Sequence, residues 1–233
     1  MYNIQLKKML NEENYNSLIN SNFCKSSFSQ YGEDLIINKV LGKIKFGNYL
    51  DLGSFHPIHF SNTFTLYIRG WRGINIDGNE EMINVSKKVR PLDKNIFAYL
   101  SNAEKECFYL KNKKHPAMNK IVDEVENLKD HEEYVKIKTQ TLETLISSYD
   151  QYLYKLYYLN IDLEFLDDII IRNFNFSNYK PLLITIEMHN LDLSKDSEIS
   201  VFLKKHNYSL YSYINPTAFF VENKFKENNF DLL

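Results

Sequence analysis

Three residue pairs in this chain have the types and spacing to move a proton or hold a cation: His56 with His59, Asp162 with Glu164, and Glu187 with His189. In the last two, one residue separates the members, so an extended chain presents both groups to the same side. A carboxylate so placed can take the proton of an alcohol as that alcohol attacks. With an imidazole nearby, Asp162, Glu187 and His189 could instead supply oxygen and nitrogen ligands to Mg²⁺ or Mn²⁺, and the ion would acidify the alcohol first. The competing reading is a hydrogen-bonded carboxylate–histidine network without an ion. His56 and His59 fall in a loop that leaves an apolar strand, where a general base would be needed. His115, His131 and His206 lie in polar segments and read as surface groups.

The elements around these residues form a nucleotide-binding pattern. A strand over Tyr49–Leu52 runs into the turn Gly53–Ser54, a helical segment covers Asn62–Arg69, and a second strand from Arg72 ends on Asp77. An acid ending the second strand of such a unit accepts hydrogen bonds from ribose hydroxyls. A pyrophosphate cradle would call for several glycines, and here Gly53 stands alone. The pattern therefore points to an adenosyl cofactor without phosphate, S-adenosylmethionine, rather than to a dinucleotide. Asp51 sits inside the first strand, where an unpaired carboxylate costs several kcal/mol on the order of magnitude usual for buried polar groups. It must pair with loop amides or with the cofactor's amino group.

Further strands are expected over Asn95–Leu100, Glu106–Leu110, Leu156–Ile161, Pro181–Glu187, Tyr208–Ile214 and Thr217–Glu222. Helices are expected over 4–20, from Ser29 through Leu41, and over Glu80–Lys88, Thr141–Tyr149, Glu164–Arg172 and Ser197–Lys205. Alternation of strand and helix with a closing hairpin implies a doubly wound, Rossmann-like α/β sheet, mostly parallel, in the order 3-2-1-4-5 plus an antiparallel terminal hairpin. Residues 1–45 read as an N-terminal helical extension and 46–233 as the Rossmann-like domain. The charged stretch Lys111–Lys138 lacks apolar periodicity and reads equally as a lid or as a solvated insertion.

The ordered blocks Ser29-Gln30-Tyr31-Gly32-Glu33-Asp34, Leu50-Asp51-Leu52-Gly53, Ser61-Asn62-Thr63, Gly70 to Asp77, Arg90-Pro91-x-Asp93 and Ile161-Asp162-Leu163-Glu164 resemble the FkbM family of S-adenosylmethionine-dependent methyltransferases. The resemblance runs from about Ser29 to His189 and implies a class I methyltransferase that O-methylates a carbohydrate hydroxyl, on a nucleotide sugar or a surface polysaccharide precursor. It implies cofactor contacts from Gln30, Tyr31, Asp51, Gly53, Ser54, Asn62, Asp77, Gly78 and Ser101. His56, His59, Asp162 and Glu164 fall to the acceptor side as catalytic candidates. One departure stands out: Phe165 occupies the place where the family usually has a glycine after its Asp-x-Glu.

A net charge of −2 gives no electrostatic reason to expect nucleic acid. Two unpaired cysteines, Cys24 and Cys107, exclude a disulfide framework and suit a reducing cytoplasm. No apolar run approaches a membrane span, the start lacks a signal-peptide core, and the terminal hairpin offers an edge for a homo-oligomer. Two other functions share the pattern. One is a nicotinamide-dependent sugar oxidoreductase, disfavoured by the single glycine. The other is a non-catalytic cofactor-binding module, motivated by Phe165.

Overall fold

The computed structural model describes residues 9, 12–19, 25–125, 128–189 and 191–230. The helix expected over 4–20 falls partly outside them; within them α1 spans Glu12–Ile19. Cys24 also lies outside, and Cys107 is buried and free.

A seven-stranded sheet organises the chain. Its strands are β1 (Asn48–Leu52), β2 (Arg72–Asp77), β3 (Lys94–Phe97), β7 (Leu156–Ile161), β8 (Leu183–Glu187), β9 (Tyr208–Ile214) and β10 (Thr217–Glu222). Their order is β3-β2-β1-β7-β8-β10-β9, parallel throughout β3 to β8, with β10 antiparallel to both neighbours. This is the expected mostly parallel, Rossmann-like α/β arrangement with its reversed terminal hairpin. Strand order reverses between β1 and β7, and such a switch point opens a crevice beyond the carboxyl ends of the strands.

Both faces of the central strands are buried, so these strands are apolar almost throughout. Leu50 and Leu52 of β1 join one core with Leu159 and Ile161 of β7. Helices α5 (Leu142–Ile146), α6 (Asp167–Arg172) and α7 (Glu198–Lys205) contribute Leu142, Ile170 and Leu203 to it. Tyr49 and Tyr158 point the other way, into a core with Ile37, Val40 and Leu41 of α2 (Glu33–Leu41) and Leu66 of α3 (Phe64–Ile68). Trp71, fully buried, completes that core.

One register row on the α2 face is polar instead. Asn95, Asn75, Asp51, Asn160 and Thr185 are successive partners across β3, β2, β1, β7 and β8. Asn160 Nδ2 donates to Asp51 at 2.9 Å, and Thr185 donates to Asn160 Oδ1 at 2.6 Å. Arg90, at the end of α4 (Glu80–Val89), is wholly buried beside this row. It donates to Asp93 (2.9 Å), Tyr49 (2.6 Å) and Thr63 (3.0 Å), and Thr63 in turn donates to Asp51 (2.5 Å). A buried cation needs such partners, since desolvation alone costs several kcal/mol, roughly, per ion.

Several boundaries differ from expectation for identifiable reasons. The third strand stops at Phe97 rather than Leu100, because its partner β2 ends at Asp77, opposite Phe97, and the Ala98 N–H to Asp77 carbonyl bond (3.1 Å) is the last rung between them. The helix expected from Glu164 begins at Asp167. Glu164 and Phe165 have φ of 47° and 80°, and the Asp167 carboxylate accepts from Leu163 N (3.1 Å), so a tight turn precedes the helix. The strand expected over Glu106–Leu110 is present, and two unforeseen strands join it. They build an antiparallel sheet of β4 (Glu106–Asn112), β5 (Lys120–Val122) and β6 (Glu132–Lys138) in the order β5-β4-β6. A last helix, α8 (Asn223–Phe230), was not foreseen. No helix among the described residues is long and apolar enough to cross a membrane.

Candidate functional site

The switch-point crevice contains a cavity of about 190 Å³. Its floor comes from the ends of five parallel strands: Gly53 after β1, Ile76 and Asp77 of β2, Ala98 after β3, Asp162 after β7, and Glu187 of β8. The inserted sheet supplies one wall through Tyr109, Asn119, Lys120 and Ile121, and Gln30 closes another side.

Gly53 is required where it stands. Its φ is +79°, and a Cβ there would overlap the backbone carbonyl of Asp162. The close approach of the β1 and β7 ends makes the crevice. Beside it, the Asp77 carboxylate accepts from Phe55 N (2.7 Å) and Asn79 N (2.6 Å), one amide on each oxygen. Each oxygen keeps a lone pair for a further donor, such as a vicinal hydroxyl. Burial raises the Asp77 pKa to about 6, against the pull of those two amides. Gly78 follows, and a side chain there would press into the rings of Tyr99 and Tyr109, whose centroids are 4.8 Å apart. An acid with spare acceptor capacity, a glycine bed and aromatic walls together suit a nucleoside.

The opposite end of the cavity is acidic. Asp162, Glu164 and Glu187 place ligand atoms within 4.8 Å of one another. Asp162 has open surface, yet it faces the cavity, with protein on its other sides. Burial, followed by the charges of Glu187, Asp167 and Glu164, drives its pKa well above the usual carboxylate range. Glu164 is raised to about 7 by burial and by Glu187 and Asp167, with His189 and Lys120 pulling it down. Asp167 is raised to about 6, again chiefly by burial. His189 reaches Glu187 Oε1 through Nε2 at 3.3 Å but is more than half exposed. The metal-competent cluster thus contains Glu164 in the place foreseen for His189.

The remaining residues singled out in the sequence separate into two groups. Gln30, Gly53, Asp77, Gly78, Asp162, Glu164 and Glu187 meet at the cavity. Asp51 and Asn62 turn into the polar row instead, Asn62 donating to Asn160 at 3.1 Å. Ser101 is buried and hydrogen-bonds Asn102 (3.3 Å), and the Ser54 hydroxyl is buried without a partner among the described residues. Tyr31 is exposed, its N–H held by Glu33 (2.8 Å) at the start of α2. His56 and His59 lie with ring centroids 4.6 Å apart and planes tilted by 40°, in a groove with Ser27, Phe28, Ser29, Phe55 and Phe60 that shares Phe55 and Phe60 with the cavity. His56 Nδ1 accepts from Ile58 N (3.1 Å) and His59 N (3.0 Å), which fixes that nitrogen as an acceptor in the turn. Burial and His59 lower its pKa.

Sequence reasoning missed Tyr99, Tyr109, Asn119 and Lys120. Tyr109 alternates with Cys107 on the buried face of β4, a two-residue period that was the available signal. The fold and crevice define a Rossmann-like α/β domain with a cavity at its switch point that ends in an acidic cluster. No family model matches the chain, and no curated protein matches its sequence.

Proposed function

We propose that this chain is a class I S-adenosylmethionine-dependent O-methyltransferase of FkbM type, acting on a carbohydrate hydroxyl. The observation that carries the reading is the pairing of Gly53 and Asp77 at one end of the crevice with Asp162, Glu164 and Glu187 at the other. A nucleoside end and a proton-accepting end within one cavity are what methyl transfer to a hydroxyl requires. A single close-approach glycine, with no further glycines to cradle a diphosphate, favours this cofactor over a nicotinamide dinucleotide.

The residues present fit an adenosyl group. Asp77 would accept from its ribose hydroxyls, Gly53 would admit its chain next to β1, and Gly78, Tyr99 and Leu100 would face its base. When bound, the cofactor supplies an electrophilic methyl group. The protein's part is to hold the acceptor oxygen on axis and to remove its proton. Glu164, with a pKa raised to about 7, is the general base: it accepts the proton as the oxygen–carbon bond forms. Asp162 and Glu187 surround it; alternatively these three carboxylates would hold Mg²⁺ or Mn²⁺, and the ion, in place of the base, would lower the acceptor's pKa. His56 and His59 line the adjoining groove and not the cavity itself, and in this reading they shape the loop after β1.

The test is release of S-adenosylhomocysteine by the purified protein supplied with S-adenosylmethionine and a panel of saccharides, with and without Mn²⁺. Acceptor-dependent release that falls strongly in Glu164→Gln is expected. Cofactor binding with no release under any acceptor would turn the assignment toward a non-catalytic module.

A further inference from the structure

Beyond the acidic cluster a second hollow, about 440 Å³, opens between the turn before α6 and the segment that follows β8. Glu187 lines both this groove and the crevice, so the two are joined at the acids. Phe165 stands at the junction. Its ring is three-quarters exposed, carried on left-handed backbone, and Lys120 from the crevice wall lies 5.1 Å from the ring centroid. An exposed aromatic ring on a conformation that disfavours side chains calls for a use.

The charges of the groove restrict what can enter. Asp167, Asp168, Glu187 and Asp192 line it, against a single lysine, Lys195, already paired with Asp192 at 3.5 Å. No arginine lines it among the described residues. A diphosphate would meet like charge, and the two lysines at hand are engaged, Lys195 by Asp192 and Lys120 by the Phe165 ring, a juxtaposition that disfavours anionic partners. An uncharged sugar ring meets the reverse. Its C–H face packs on an aromatic ring, and its hydroxyls donate to carboxylates and accept from an imidazole N–H such as that of His189.

We infer that this groove is the acceptor subsite and takes an uncharged saccharide, with Phe165 as its stacking platform, rather than a nucleotide-linked sugar. The inference rests on the methyltransferase reading above and narrows the carbohydrate it acts on. It also gives a role to the departure at position 165: the side chain that replaces a conformationally easier glycine supplies the sugar-facing ring.

Saturation-transfer NMR on the full chain loaded with S-adenosylhomocysteine tests this, with maltose, N-acetylglucosamine and UDP-glucose as probes. Phe165→Gly is the variant of choice because glycine accepts φ of +80° without strain. The neutral sugars should receive saturation, with binding at least about tenfold weaker in Phe165→Gly, while UDP-glucose binds no better than the neutral sugars. Tighter binding of UDP-glucose would overturn the exclusion of nucleotide-linked acceptors. Unchanged sugar binding in Phe165→Gly would overturn the platform, and no sugar binding to the loaded protein would overturn the saccharide assignment while leaving the cofactor reading intact. Failure of S-adenosylhomocysteine itself to bind would instead strike the reading on which the inference rests.

Discussion

Gly53 and Asp162 meet where β1 and β7 end, so closely that a single methyl group on Gly53 would occupy the space of the Asp162 carbonyl. Asp162 N also donates to the Leu52 carbonyl at 2.9 Å, which fixes the two strand ends together. The Gly53–Asp77 end and the acidic end of the crevice are therefore parts of one rigid junction. Gly53→Ala adds both the overlap and the cost of a left-handed alanine, about 1–2 kcal/mol for the backbone alone. Thermal denaturation should show a drop of several degrees, and titration should show lost affinity for S-adenosylhomocysteine. An unchanged melting temperature would mean that the strand ends are less tightly joined.

Asp77 should control cofactor affinity and its pH dependence. Hydroxyl hydrogen bonds to a charged group contribute about 1.5–3 kcal/mol, so Asp77→Ala should weaken S-adenosylhomocysteine roughly 10- to 100-fold. The carboxylate is the accepting form. With its pKa raised to about 6 by burial, wild-type affinity should decline as pH drops below that value, and the variant's should not. Titrations between pH 5 and 8 measure both.

The acids also set how the ligand-free protein responds to pH. Asp77 and Asp167, raised to about 6, Glu164, raised to about 7, and Asp162, raised well above the usual carboxylate range, all bind their protons more tightly folded than unfolded. Such groups stabilise the fold fully below the unfolded carboxylate pKa of about 4, and that contribution is lost as pH rises through the folded values. His56, lowered by burial, works in the opposite direction but is one partly exposed group against four acids. The melting temperature should accordingly fall between pH 5 and pH 8. Mn²⁺ at pH 8 should restore part of it, less so in Glu187→Gln. A melting temperature that rises over this range would contradict the electrostatics of the cluster.

Arg90 should matter to stability and not to chemistry. Removing one member of a buried ion pair costs about 3–5 kcal/mol, so Arg90→Met should be strongly destabilised in urea. Arg90→Met combined with Asp93→Asn should recover part of the loss, because no uncompensated carboxylate then remains at Asp93. Equal stability of the single and double variants would show that the pair is not coupled.

Much of this architecture could be read from residue order. The apolar runs of β1, β7 and β8 are buried on both faces and stand out as strands, and the turn at Gly53 and the acid at Asp77 mark the crevice between them. Asp51 was harder to place. Its strand identified it as buried, but only the register shows it facing Asn160 and the Thr63–Arg90 pair rather than a ligand. Arg90 and Asp93 lie three residues apart in a polar segment, and nothing local says that α4 swings them under the sheet beside Tyr49. Beyond its first strand the inserted sheet was illegible because β5 and β6 carry exposed charge, with pairs such as Lys136–Glu106 and Lys138–Glu104 at the surface. Only Cys107, Tyr109 and Ile137 form its small buried core. The late start of α6 likewise depends on the turn that the Asp167 carboxylate closes by accepting from Leu163 N, a contact that spacing alone does not reveal.

Isothermal titration of S-adenosylhomocysteine into the ligand-free protein, with NAD⁺ and NADH as comparison ligands, bears most directly on the account. One site in the micromolar range, weakened roughly 10- to 100-fold in Asp77→Ala and accompanied by no heat from either nicotinamide, is the expected result. Binding of a nicotinamide dinucleotide with no response to the adenosyl ligand would contradict it.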